Sequence, residues 1–174
     1  MTRRPRNLVL VGLSGTGKSR VGRLVAERLR WRFVDTDAEI QRREGRTVQE
    51  IFAAAGEAHF RALEREAVAH AVRGAGAVIA TGGGALLDEA NRRALFNNNL
   101  VICLRASPEE LAARLAHTRE RRPLLEGTDL LTALRGLAAR RAPLYALAHE
   151  TIDTDGRTLG EVACAVVEVF RRYA

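Results

Sequence analysis

Val11-Gly12-Leu13-Ser14-Gly15-Thr16-Gly17-Lys18-Ser19 contains the only lysine of a 174-residue chain whose other 27 basic residues are all arginine. The stretch spells G-x-x-x-x-G-K-S. At this spacing backbone N–H groups turn inward around phosphates, the lysine meets them as a point charge, and the serine hydroxyl is available to Mg²⁺. An arginine fork is wide and planar and has little room inside such a loop, which gives the lone lysine a chemical reason. The flanks agree. Asn7-Leu8-Val9-Leu10-Val11 reads as a short buried strand and Ser19 to Arg30 as an amphipathic helix. Phosphates held by Gly15, Thr16, Gly17, Lys18 and Ser19 would then lie at a helix N-terminus, where unpaired amides and the helix dipole favour anions.

The length fits one domain that buries about 70% of the surface of its unfolded chain. Apolar residues make up 47%, and no low-complexity segment interrupts them. A net charge of +7 favours anionic partners. The few aromatic residues do not interleave with a basic stripe, so nucleic acid is not the expected partner. Cys103 and Cys164 lie in apolar runs and are expected in the core, which suits a reducing compartment. The apolar run behind the basic start stops at Gly12, too short for a secretory signal. Nothing in the sequence reaches transmembrane length, so no membrane partner and a cytoplasmic location are expected.

Strand-like segments at 7–11, 31–34, 77–80, 100–104 and 151–152 alternate with helix-like ones. Thr47 with Glu50, and Thr158 with Glu161, spell capping boxes. Ser107-Pro108-Glu109-Glu110 opens a helix with cap, first-turn proline and glutamate in place. The alternation predicts an α/β fold with a five-stranded parallel, doubly wound sheet. Ligands of such sheets bind beyond the carboxyl ends of the strands. There the chain places the phosphate loop, Asp35-Thr36-Asp37, Thr81-Gly82-Gly83-Gly84, and Asp153-Thr154-Asp155-Gly156-Arg157.

Asp35 and Asp37 are two apart on what reads as an extended segment, so both can face one way. One carboxylate suits Mg²⁺ through water and the other an acceptor hydroxyl; both also suit simple helix caps. Gly82, Gly83 and Gly84 let a ligand approach the backbone and offer N–H donors to hydroxyls or a carboxylate, whereas a bare turn rarely needs three glycines. Arg61 and Glu64 share a helical face. They fit a surface ion pair equally with an arginine fixed to grip a carboxylate. The arginine-rich segment 117–128 reads as a lid that brings charge and excludes water, the plainer alternative being a solvated loop. Arg141 offers a second clamp. The histidines show no metal-ligand spacing, the Asn97-Asn98-Asn99 run has no functional reading, and the second Asp-Thr-Asp, at 153–155, looks coincidental.

Taken together, the phosphate loop, Asp35-Thr36-Asp37, Phe60-Arg61-x-x-Glu64, Gly82–Gly84, Arg122-Pro123-Leu124-Leu125 and Arg141-Ala142-Pro143-Leu144-Tyr145 resemble the shikimate kinases over nearly the whole chain. The resemblance implies a three-layer α/β/α P-loop fold of the nucleoside-monophosphate-kinase type. It would be a single kinase domain with a substrate-binding helical region at about 36–74 and a mobile lid at about 117–128. It implies transfer of the ATP γ-phosphoryl to the 3-hydroxyl of shikimate, with ATP and Mg²⁺, by a monomer. On this pattern Asp37 holds and activates the hydroxyl near Gly83, and Arg61 and Arg141 grip the carboxylate. Lys18 and Arg122 stabilise the transferring phosphoryl, Ser19 and Asp35 serve Mg²⁺, and Arg114 and Arg157 flank the adenine. Two positions depart from the family: Arg20 stands where threonine usually follows the loop serine, and Leu147 where an acidic residue is common. The alternatives are a gluconate-type small-molecule kinase and an ATP-binding sensor without turnover. Two arginine clamps and the Gly82–Gly84 turn argue against the first, and the intact set Lys18, Asp37 and Arg122 argues against the second.

Overall fold

The computed structural model describes residues 4–116 and 129–174. Five strands, β1 (Leu8–Val11), β2 (Arg32–Asp35), β3 (Ala77–Ala80), β4 (Leu100–Arg105) and β5 (Glu150–Asp153), form one sheet. The sheet runs in the order β2-β3-β1-β4-β5, and every pairing is parallel. Parallel strands need crossovers, and helices supply them: α1 (Lys18–Leu29), α2 (Thr36–Glu44), α3 (Val48–Ala71), α4 (Glu89–Phe96), α5 (Pro108–Ala116) and α6 (Leu130–Tyr145), with α7 (Leu159–Tyr173) following the last strand. β1 and β3 are buried along their whole length because helices cover both faces.

Side chains alternate across a strand, and β1 shows the outcome. Leu8 and Leu10 join a core with Val21 and Val25 of α1 and Val162, Val166 and Phe170 of α7. Val9 and Val11 face the opposite core, with Val68 and Ala71 of α3 and Leu95 of α4. These are the two outer layers of the expected three. A satellite core of Leu13, Leu111, Leu115 and Leu134 ties α5 and α6 to the end of β1. Ile40, Ile51 and Phe60 join α2 to α3. Both predicted capping boxes form, at Thr47–Glu50 and at Thr158–Glu161. Ser107 Oγ accepts from the Glu110 amide at the start of α5.

Three expectations change. Asp37 is not on an extended segment: β2 ends at Asp35, whose carboxylate accepts the Ala38 amide and starts α2, so Asp37 sits in the first helical turn. Cys103 is buried, and burial pushes its thiol up to about 11. Cys164 is exposed, because its apolar run is helical and the 3.6-residue period turns one position outward while Val162, Ala163, Val166 and Val167 face the core. Trp31 lies just before β2 rather than in it, edge-on to Phe170 at 4.9 Å.

The asparagine run finds a structural role. Asn99 is buried; its Nδ2 donates to the Leu95 carbonyl and its Oδ1 accepts from Asn7 Nδ2, while Asn7 Oδ1 accepts the Ala77 amide. Two asparagines thus close the amino-terminal edge of the sheet and leave the carboxyl edge to the site.

Candidate functional site

The chain leaves β1 into a loop in which Gly15 and Gly17 both adopt left-handed backbone, φ 89° and 91°. Successive amides in such a turn form an anion-binding concavity. Lys18 opens α1 and folds its stem back over the loop. Its Nζ donates to the Gly12 and Leu13 carbonyls, 2.8 Å each, and the residue is only 8% exposed. Thr16 is buried, its hydroxyl donating to the Leu13 carbonyl at 2.8 Å. Ser19 Oγ donates to Asp35 Oδ2, so a hydroxyl and a carboxylate oxygen meet beside the loop. Such an all-oxygen pair suits a hard divalent cation.

Opposite the loop lies a second group of charges. The Asp37 and Glu64 carboxylates converge on Gly82: a Cβ there would come within 2.6 Å of Asp37 Oδ1 and 2.9 Å of Glu64 Oε1. Glu64 is buried, and Oε1 has no hydrogen-bond partner among the described residues. Burial raises its pKa, against the opposing pull of Arg61. Its other oxygen accepts from Arg61 Nη1 at 2.8 Å, and Glu57 Oε1 accepts from Arg61 Nη2 at 3.1 Å. Burial works against the Arg61 charge, yet the two glutamates outweigh it and its pKa rises. The Arg61 side chain is 15% exposed and that of Glu64 1%, which decides against a surface ion pair. The Arg61 guanidinium covers Gly84, where a Cβ would fall 2.5 Å from Nη1. Arg141, also buried, reaches across from α6 and donates to the Gly83 carbonyl at 2.8 Å.

A third group lies beyond the loop. Arg114 Nε donates to Glu110 at 2.9 Å, Nη1 to Thr154 Oγ1 at 3.0 Å, and Nη2 to the Thr154 carbonyl at 3.1 Å. The second Asp-Thr-Asp is not idle. Asp153 accepts two bonds from Arg105, and the Asp155 carboxylate accepts the Ser107 amide at 3.1 Å. These contacts brace the segment that carries Arg157.

All three groups line one cleft of about 910 Å³ at the carboxyl edge of the sheet. That is near the upper end of usual small-molecule sites, with space for more than one ligand. Every predicted site residue within the described chain lines it, exposed Arg20 in the first turn of α1 included. Arg122 and the expected lid at 117–128 lie outside the described residues.

A family model described as shikimate kinase matches residues 14–171. The chain belongs to the shikimate kinase family. A shikimate kinase of Symbiobacterium thermophilum is 53% identical over 93% of this chain and 94% of its own length. One from Moorella thermoacetica is 44% identical over 97% and 96%. Among solved structures, the shikimate kinase from Acinetobacter baumannii in complex with shikimate superposes with a TM-score of 0.91. It is 35% identical and covers 98% of this chain and 95% of its own. A gluconokinase from Sinorhizobium meliloti 1021 reaches a TM-score of 0.59 at 20% identity over 98% and 94%, a likeness of fold alone.

Within the shikimate kinase pattern, several contacts escaped sequence reading. Glu57 is a second acid on Arg61, Glu110 holds Arg114, and Tyr145 donates to the Gly83 carbonyl at 2.7 Å. All three pairs, Glu57–Arg61, Glu110–Arg114 and Arg141–Tyr145, are four residues apart on a helix. That periodicity was the available signal. Thr36 carried no such signal: buried, its hydroxyl accepts the Gly82 amide at 3.2 Å, a contact made only by folding.

Proposed function

We propose that this chain phosphorylates the 3-hydroxyl of shikimate with ATP, giving 3-phosphoshikimate and ADP. The observation that carries the reading is the cleft itself. A phosphate loop faces two arginines, the part-buried Arg61 and the buried Arg141, with the Asp37 carboxylate beside them. An anionic polyol needs that combination: cations for its carboxylate and an acceptor for its hydroxyl proton. Arg61, fixed by Glu57 and Glu64, and Arg141, fixed to Gly83, enter the site with their geometry already set, which lowers the entropy cost of gripping a carboxylate.

In the reaction the acceptor oxygen attacks the γ-phosphorus, its proton passes to Asp37, and the bond to the ADP oxygen breaks. Catalysis of this kind is mostly positioning and electrostatics. Lys18 places its charge on the transferring group, and Arg122, in the family motif Arg122-Pro123-Leu124-Leu125, would add a second charge there. The loop amides of Gly15, Thr16 and Gly17 carry the remaining phosphates. Arg20 lies three residues beyond Gly17 as a further cation on the nucleotide side. Ser19 and Asp35 would hold Mg²⁺, which when bound neutralises phosphate charge. Arg114 and Arg157 flank the adenine, with Gly82, Gly83 and Gly84 walling the acceptor side.

The same reading assigns a cytoplasmic monomer with small-molecule partners and no nucleic acid or membrane. Among the described residues no helix is long and apolar enough to cross a membrane.

ADP release from Mg-ATP, measured with shikimate, gluconate and quinate in turn, tests the proposal. Turnover that depends on shikimate is expected. ATP binding without turnover on any acceptor would leave only the phosphate loop standing.

A further inference from the structure

The motif Arg141-Ala142-Pro143-Leu144-Tyr145 contains a second functional group besides the arginine. Arg141 and Tyr145 stand four apart near the end of α6, on one face. Both point at one atom. Arg141 Nη1 and Tyr145 Oη donate to the Gly83 carbonyl oxygen at 2.8 and 2.7 Å. A carbonyl oxygen has two lone pairs, and here each has its donor. The tyrosine ring itself packs into both the α3–α4 core and the α5–α6 core. Burial drives its hydroxyl up to about 12 even with Arg141 close by, so it remains a proton donor throughout the working range of pH.

Two consequences follow for the cleft. A peptide unit is planar and trans, so fixing the Gly83 carbonyl towards α6 fixes the Gly84 N–H away from it. Gly83 and Gly84 both line the cleft, and neither amide finds an acceptor among the described residues. Their donors are therefore left for a ligand. The second consequence concerns Arg141. Because Tyr145 shares the carbonyl, the acceptor cannot swing away, and the guanidinium keeps its remaining donors in one orientation.

We propose that Tyr145 is a positioning residue for the acceptor substrate. Through the shared Gly83 carbonyl it sets both the Gly84 amide and the Arg141 fork, without itself touching the nucleotide site. This rests on the reading of the cleft as a shikimate site. It implies that the tyrosine hydroxyl acts selectively on acceptor affinity.

Tyr145→Phe keeps the ring and removes one donor. With shikimate titrated calorimetrically into nucleotide-free protein, the Kd of the variant should rise about three- to tenfold, the range expected for one lost hydrogen bond. In steady-state assays the KM for shikimate should rise similarly while the KM for ATP stays within about twofold. Arg141→Lys should weaken shikimate binding as well. The double variant should fall short of the product of the two effects, because both donors act on one carbonyl. An unchanged Kd for Tyr145→Phe, equal losses for shikimate and ATP, or a fully multiplicative double variant would each overturn the assignment. Wild-type protein assayed alongside keeps the two questions apart. If it neither binds nor turns over shikimate, the reading of the site fails; if it does and Tyr145→Phe matches it, only the role of Tyr145 fails.

Discussion

Lys18 runs a thin aliphatic stem to a nitrogen lodged 2.8 Å from each of two carbonyls, Gly12 and Leu13. A guanidinium placed there has to fit a planar fork where one tetrahedral nitrogen now sits. Lys18→Arg should therefore lower kcat/KM by about 10² or more, the scale of losing one well-placed donor to transition-state charge. Arg93→Lys, on the exposed face of α4, should change it by less than about twofold. Comparable small losses for both would contradict the assignment. Gly84 sets a second limit of size. A methyl group at 84 falls within 2.9 Å of three atoms of the Arg61 guanidinium, which Glu57 and Glu64 hold in place. For Gly84→Ala the KM for shikimate should rise about tenfold, as expected when a charge-assisted contact is lost, with the KM for ATP little changed in initial-rate kinetics.

At the scale of elements, α3 carries the clearest strain. Its chain is helical on both sides of Gly56, but Gly56 itself has φ 80° and ψ 174°. That region is open essentially to glycine alone. Nothing lies within 4 Å of a Cβ built there, so substitution tests backbone conformation and little else. Gly56→Ala should cost about 1–3 kcal/mol and lower the melting temperature by roughly 3–10 °C for a chain of this length. Calorimetry that finds no loss would show that the kink carries no such strain. The capping boxes of α3 and α7 were readable because a cap needs only residues three apart. The start of α2 was misread by the same local logic: Asp35 and Asp37 alternate as on a strand, and only the capture of the Ala38 amide by Asp35 shows that the helix has begun.

For the molecule as a whole, acid should act through the carboxylates that folding holds in charged form. Asp153 is kept below the usual carboxylate range by hydrogen bonds from Arg105. Glu50 and Glu161 are lowered first by the backbone amides of Thr47 and Thr158. A lowered pKa contributes stability above the unfolded value, and that contribution is lost as pH falls through the folded value. The urea midpoint should therefore drop between about pH 5 and pH 3. Glu64 acts oppositely. Burial raises its pKa, so its cost as an anion is relieved on protonation. Glu64→Gln removes that relief, and its stability should fall more steeply with acid than that of the wild type. A shallower fall would reverse the sign assigned to Glu64.

The phosphate loop, the alternation of strands and helices, and the clustering of polar segments behind the strands could all be read from the sequence, because each depends on near neighbours along the chain or on a simple period. The strand order β2-β3-β1-β4-β5 could not, since nothing local states which parallel strands become neighbours. Nor could the burial of the Arg61–Glu64 pair, which spacing left balanced between surface and site. Cys103 and Cys164 look alike in sequence, and only packing separates a strand residue between two layers from an outward helical one. The convergence of Asp37, Glu64, Arg61, Arg141 and Tyr145 on three glycines belongs to the tertiary structure alone. Those contacts join side chains of α2, α3 and α6 to the backbone beyond β3, and they come into being only when the helices dock on the sheet.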